Sequence, residues 1–201
     1  LLDKRYPLTL DFLIDESLNG LASVLKKSVP EIKKDVLEFF AGRFANQLIA
    51  QGYAYDTVEA VLATGLSDVV LSLEKIKALQ AFRENPEFEP VSIAFKRVDN
   101  ILKDFGNPRI DPTLFIADVE KNLSDSFGII KKAVEEGIAG NDYNLALKEL
   151  ARLRPPVDAF FDGVMVMDKN EKIKFNRLSL LAEISALFHK IADFSKIVTA
   201  G

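Results

Sequence analysis

Apolar residues recur at steps of three and four along most of the chain, and this periodicity predicts helices rather than strands. The segment after Ser28 carries apolar side chains at four-residue steps until Gly52. The last long segment alternates steps of four and three through Leu180, Ile184, Leu187, Ile191, Phe194 and Val198. Each of these segments has one apolar face, so each helix must be buried along that face.

Glycine, proline and Asx residues separate the periodic segments. Ser28 and Glu31 have capping-box spacing, and Asp56, Ser67 and Pro112 suit helix starts. The predicted helices cover 29–51, 56–65, 67–85, 91–105, 117–137, 143–153 and 176–198, with Pro155-Pro156 ending the sixth. We therefore predict an all-α fold, an antiparallel helical bundle. Residues 28–201 form its helical domain, and residues 1–27 are the possible tail of a preceding helical domain.

Composition narrows the function classes. The absence of cysteine excludes disulfides and thiolate chemistry. No segment approaches the ~20 consecutive apolar residues of a membrane span, so we expect no membrane partner and a cytoplasmic location. The first ten residues contain neither a signal peptide nor an initiator methionine, which suggests a segment of a longer chain. A net charge of −4 repels polyanions overall, so nucleic-acid binding would need a local basic patch.

Catalytic motifs are missing from the sequence. It has no phosphate-binding G-x-x-x-x-G-K-[ST] loop, no dinucleotide-binding G-x-G-x-x-G turn and no G-x-S-x-G nucleophile elbow. The only histidine, His189, has no recognisable partners in the sequence, so we expect a packing or surface role and no metal site. Met165 and Met167 alternate with Val164 and Val166. We expect both methionines, together with Phe160 and Phe161, to pack in the core.

Four sequence stretches carry a family resemblance. They are FFAGRFANQLIAQGYAYDTVEAVLA at 39–63, AFKRVDNIL at 94–102, RPPVDAFFDGVMVMDKNE at 154–171 and NRLSLLAEISALFHKIADFSKI at 176–197. In this order they resemble the C-terminal region of the bacterial glycyl-tRNA synthetase β subunit. The resemblance implies an anticodon-binding domain similar to that of the arginyl-type class I synthetases.

The same resemblance implies a division of labour. This segment would bind glycine-specific tRNA, while a separate α subunit of a tetrameric glycine–tRNA ligase would use ATP and Mg²⁺ to activate glycine. The segment alone would be non-catalytic and hold no cofactor. Two alternatives stay open at this point: the anticodon-binding domain of another synthetase such as the arginyl enzyme, and a scaffold that docks another subunit without touching RNA.

The predicted RNA-binding residues lie in three of the four stretches, except for Lys103, which directly follows the second stretch. Arg97, Asn100 and Lys103 follow one another at three-residue steps, which places them near one helix face. Asn176 and Arg177 are predicted to open the last helix, where free backbone N–H groups favour phosphate. The full set of RNA-binding candidates is Lys96, Arg97, Asn100, Lys103, Arg154, Asn176 and Arg177.

Overall fold

The computed structural model describes residues 8–21, 26–103 and 105–199. Within these ranges the chain forms helices and no strand, which confirms the all-α prediction. The α-helices are α1 Leu10–Asn19, α2 Val29–Ala50, α3 Tyr55–Leu62, α4 Val69–Phe82, α5 Phe88–Ile101, α6 Asp118–Ala139, α7 Tyr143–Ala151, α8 Arg154–Gly163 and α9 Glu171–His189. Two 3₁₀ helices, Pro112–Leu114 and Phe194–Lys196, complete the order. None of the described helices has the length and apolar character of a membrane span.

The first helices follow the capping signals only in part. Ser28 and Glu31 form the predicted capping box at the start of α2. Asp56 was expected to cap α3, but Ala54 precedes that helix and the Asp56 side chain is buried instead. Its carboxylate accepts hydrogen bonds from Arg83 at 2.9 Å and from the Val198 backbone at 2.8 Å. Asp56 therefore ties α4 and the end of the described chain to α3.

Helix α1 packs onto the rest of the molecule through an apolar stripe. Its buried residues are Leu10, Ile14 and Leu18. The Leu10 backbone N–H donates to the carbonyl oxygen of Ser67 at 2.8 Å. Lys33 of α2 forms ion pairs with two acids of α1, Asp11 and Asp15. The proposed boundary near residue 27 stays a prediction.

Three predicted helix boundaries near the end of the chain are wrong. Pro155-Pro156 do not end a helix but lie in the first turn of α8, where proline has no hydrogen bond to lose. The last helix begins at Glu171 rather than Asn176, because Asn170 caps it by accepting from the backbone N–H groups of Lys172 and Ile173. It ends at His189 rather than Val198, and a turn leads into the second 3₁₀ helix.

Helix α5 is fixed to α9 by aromatic packing. Phe95 stacks on Phe188, and both contact Phe194 of the second 3₁₀ helix. All three rings are almost fully buried. The opposite face of α5 is thereby held in place at the surface.

Candidate nucleic-acid interface

Helix α5 presents a polar strip on its outer face. Val91, Phe95 and Val98 point into the core, while Arg97 and Asn100, three residues apart, are exposed. Lys96 is half-buried, and its ammonium donates to Thr199 Oγ1 at 3.2 Å. Arg97 and Asn100, the two members of the predicted strip that lie within α5, are therefore on one exposed face.

The segment that follows α8, residues 164–167, faces this strip. Val164 has extended backbone angles, and the chain then bends at Val166 and Met167, where the Asp168 backbone N–H donates to the Val166 carbonyl oxygen at 2.9 Å. Val166 is buried at 5% exposure, whereas Met165 and Met167 are 72% and 53% exposed. The prediction that the two methionines pack in the core is wrong, because the chain path that buries Val166 turns both thioethers outward.

The strip on α5 and residues 164–167 flank a groove of about 680 Å³. The Arg97 guanidinium lies over the Phe161 ring, 4.0 Å from its centroid, in a cation–π contact. Phe161 was expected in the core, but it is only half-buried beneath this arginine, whereas its neighbour Phe160 is fully buried as predicted. The groove is lined by Ile93, Lys96, Arg97, Asn100, Ile101, Phe161, Val164, Met165, Val166 and Met167.

The chemistry of the groove suits an unstacked nucleotide base. The flat Arg97 guanidinium, supported by the Phe161 ring, supplies a stacking surface, and the two methionines supply adaptable apolar contact. The Asn100 amide offers both a donor and an acceptor to a base edge, while Lys96 and Arg97 are donors for phosphate or base oxygens. Stacking, directional polar groups and positive charge thus occur in one place.

Arg177 is buried beneath residues 164–167. Its side chain is 3% exposed and forms an ion pair with Glu120, whose side chain is fully buried. Its guanidinium also donates to the carbonyl oxygen of Met165 at 3.0 Å and to Asp168 at 2.9 Å. Arg177 therefore holds the backbone of the segment that carries Met165 and Met167.

The Asp168 carboxylate is the outer member of this network. The backbone N–H of Asn170, with further contributions from the Arg177 guanidinium, holds the pKa of Asp168 below its ordinary range. Glu120 in turn accepts from the backbone N–H groups of Ile116 and Ala117, just before α6. The network joins α6, α9 and the groove wall.

Asn176 is buried as well, at 1% exposure. Its amide makes a reciprocal pair with Asp111, accepting from the Asp111 backbone N–H at 2.7 Å and donating to the Asp111 carbonyl at 3.0 Å. The expectation that Asn176 and Arg177 lie at an open helix start is wrong, because α9 begins five residues earlier. Their side chains are engaged within the protein, and any RNA contact by them stays a prediction.

The two remaining candidates lie outside the groove lining. Lys103 is exposed in the turn that follows α5. Arg154 opens α8 and pairs with Asp158 at 3.2 Å and with Glu87 at 3.4 Å. Of the seven candidates, the structure therefore brings Lys96, Arg97 and Asn100 together in one groove, and it places Phe161, Met165 and Met167 opposite them.

Comparison with known proteins gives the fold a family. Residues 91–199 match the family model described as the DALR anticodon binding domain. The chain is 51% identical over 99% of its length to the glycine–tRNA ligase β subunit of Syntrophus aciditrophicus. It is 45% identical over 98% of its length to the β subunits of Geobacter metallireducens and of Syntrophotalea carbinolica. In all three cases the chain spans 29% of the relative's length. The matched family region contains every residue of the groove.

Proposed function

The chain belongs to the DALR anticodon-binding domain family, and we propose that it is the tRNA-binding part of a glycine–tRNA ligase β subunit. The observation that carries this proposal is the groove between α5 and the segment that follows α8. It places Arg97 over Phe161 and sets Asn100 and two exposed methionines around them. The relatives are glycine–tRNA ligase β subunits, which favours glycine over arginine as the amino acid of the synthetase.

The groove suits the anticodon that such a module would read. All glycine codons begin with two guanines, so a glycine anticodon presents two adjacent cytosines in a single-stranded loop. Splayed bases are read by stacking and by hydrogen bonds to their edges. Arg97 and Asn100 can donate to O2 and N3 of cytosine, and the Asn100 carbonyl can accept from N4.

The proposed role is binding and not chemistry. Glycine activation, with ATP and Mg²⁺, is proposed for a separate α subunit. This α subunit is the second proposed partner of the module, and the two subunits are proposed to form a cytoplasmic tetramer. We expect the purified chain to catalyse neither glycine-dependent pyrophosphate exchange nor tRNA charging. Exchange activity from pure chain would contradict the non-catalytic assignment.

The binding proposal is tested by substituting Arg97→Ala and measuring gel retardation of tRNA. Glycine tRNA is compared with a version whose anticodon has been swapped, at two salt concentrations. If Arg97 reads a base, the substitution costs about 1–3 kcal/mol for the glycine anticodon and little for the swapped one. If Arg97 contacts phosphate, both tRNAs lose affinity alike and the salt dependence becomes shallower.

A matched control is available on α2. Arg43 is also exposed and also lies over a phenylalanine, with its guanidinium 5.6 Å from the centre of the Phe39 ring. It lies outside the family-matched residues. Arg43→Ala should leave both affinities unchanged. If Arg97→Ala behaves like Arg43→Ala, or if no tRNA binds at low salt, the groove is not the RNA site.

A further inference from the structure

Three metal-ligating side chains from separate elements converge beside the aromatic cluster that joins α5 to α9. Asp99 lies on the inner side of α5, His189 ends α9, and Asp193 precedes the second 3₁₀ helix. One ligand atom from each lies within 4.8 Å of the others. Asp193 is four residues from His189 in the chain, whereas Asp99 is far from both, so local spacing alone does not reveal the cluster.

The hydrogen bonds of His189 define which ring nitrogen is free. Its Nδ1 lies 3.0 Å from the carbonyl oxygen of Ser185, one turn earlier in α9. A neutral ring in this position donates Nδ1–H to that carbonyl, which leaves the lone pair on Nε2. Nε2 in turn lies 3.7 Å from Asp193 Oδ1. Two acceptors therefore face each other, an arrangement that a shared cation stabilises.

The Asp99 carboxylate gives an independent indication that a cation binds at this cluster. Its Oδ1 accepts a hydrogen bond from the Ser185 hydroxyl at 2.7 Å. Its Oδ2 is buried and has no hydrogen-bond partner, and it is the one such side-chain atom found in ranges 8–21, 26–103 and 105–199. Burial raises the pKa of Asp99. An oxygen that has lost water without gaining a donor is costly unless something positive satisfies it.

We propose that Asp99, His189 and Asp193 form a binding site for one divalent transition-metal ion of the zinc class. One imidazole with two carboxylates is a ligand set that zinc accepts, whereas Mg²⁺ and Ca²⁺ prefer oxygen ligands alone. Ser185 acts as the outer support for two ligands at once, since its carbonyl orients the imidazole and its hydroxyl orients Asp99. Asp193 Oδ1, the atom that faces the imidazole, also accepts from the backbone N–H and the hydroxyl of Ser195, at 2.9 Å and 2.6 Å, which fix the carboxylate in place.

A metal ion here would link the groove helix to the end of the chain. Asp99 is adjacent in sequence to Asn100 of the groove, and Asp193 is adjacent to Phe194 of the aromatic cluster. Three protein ligands leave a fourth tetrahedral position for water, because the imidazole is on the surface. The site would therefore stabilise the placement of α5 and does not require a catalytic role.

The proposal is tested on the 201-residue chain after removal of metal with a chelator. Titration with Zn²⁺ in a calorimeter should give one saturable site per chain, and the melting temperature should rise with Zn²⁺ concentration. Co²⁺ should give the visible absorption of a tetrahedral nitrogen and oxygen site. His189→Ala and Asp99→Asn should each weaken Zn²⁺ binding at least about tenfold. Asp162→Asn, at an exposed acid outside the cluster, should bind as the unmodified chain does.

Three outcomes would overturn the site. The first is the absence of saturable Zn²⁺ binding. The second is Zn²⁺ binding that persists unchanged in His189→Ala, a substitution at an exposed side chain that the fold should tolerate. The third is equal stabilisation by Mg²⁺ that does not depend on His189, which would indicate non-specific binding to acids. His189→Ala alone decides the question if Asp99→Asn fails to fold.

Discussion

The Arg177 guanidinium and the Glu120 carboxylate form an ion pair in the interior, with 2.7 Å between Nε and Oε1 and almost no exposure of either side chain. Nη1 of Arg177 donates to the Met165 carbonyl oxygen in the groove wall and to the Asp168 carboxylate in the turn that follows it. The basic residue that the sequence suggested for RNA contact is thus part of the support for the groove.

Arg177→Ala should destabilise the protein strongly. Removing one member of a buried ion pair leaves the other charge without compensation, at a typical cost of about 3–5 kcal/mol. Urea denaturation measures this change. The control is Arg152→Ala. Arg152 has 59% of its side chain exposed and forms an ion pair with Glu149 in the preceding turn, so the expected change is below about 1 kcal/mol. Equal effects of the two substitutions would contradict the structural role of Arg177.

The contribution of Asp168 should depend on pH. Its pKa is lowered in the folded state, so its stabilising effect is complete above the ordinary value of 3.8 and is lost as the pH falls through the folded value. Asp168→Asn should therefore melt below the unmodified chain at pH 7, with the difference shrinking below about pH 3.8. Asp162→Asn serves as the exposed control. A difference that stays constant from pH 7 to pH 3 would argue against a lowered pKa of Asp168, and so against its hydrogen bonds from Asn170 and Arg177.

The sequence predicted the helices well because apolar periodicity reports burial, and burial decides where helices pack. Helical spacing likewise placed Arg97 and Asn100 on the face away from Phe95, and both are exposed there, while their contact with RNA stays a prediction. The methionines were mispredicted because the helix ends at Gly163 and the short irregular segment that follows has no helical periodicity to report burial. Met165 and Met167, two residues apart, were the available signal.

Arg177 and Asn176 were misplaced for a different reason. A basic and an amide residue look the same in a sequence whether they face solvent or bind distant partners. Their partners, Glu120 and Asp111, are far away in the chain, so no local spacing identifies them. The capping signal at Asn170 was present, and it shows that the helix begins before Asn176.

Two glycines of α6 should respond oppositely to alanine. Near Gly137 an added Cβ would lie 3.2 Å from the backbone atoms Ala146 N and Asp142 O, whereas near Gly128 it would meet no atom within 4 Å. Gly128→Ala should stabilise the protein by about 0.5–1 kcal/mol through helix propensity. Gly137→Ala should destabilise it by about 1 kcal/mol, because displacing α7 outweighs that gain. Chemical denaturation measures the free energy of unfolding of both variants. Stabilisation by Gly137→Ala would contradict the prediction and show that α7 moves at no cost.

Within the groove, stacking and charge should be separable by their salt dependence. Phe161→Leu keeps an apolar side chain beneath Arg97 but removes the aromatic face. If a base stacks there, tRNA affinity falls by about 1–3 kcal/mol. The slope of log affinity against log salt stays the same, because no charge has been removed.

Lys103→Ala should give the opposite pattern, because Lys103 is an exposed cation just beyond α5 with no part in the groove lining. Its loss should weaken glycine tRNA and the anticodon-swapped tRNA alike and reduce the salt slope by about one unit. Phe39→Leu, at an exposed phenylalanine beneath Arg43, is the control for Phe161→Leu and should change neither quantity. The measurement is tRNA affinity at several salt concentrations for each variant. An unchanged slope in Lys103→Ala would mean that the RNA backbone does not run past the end of α5. A reduced slope in Phe161→Leu would mean that the ring acts by holding Arg97 against a phosphate and not by supporting a stacked base.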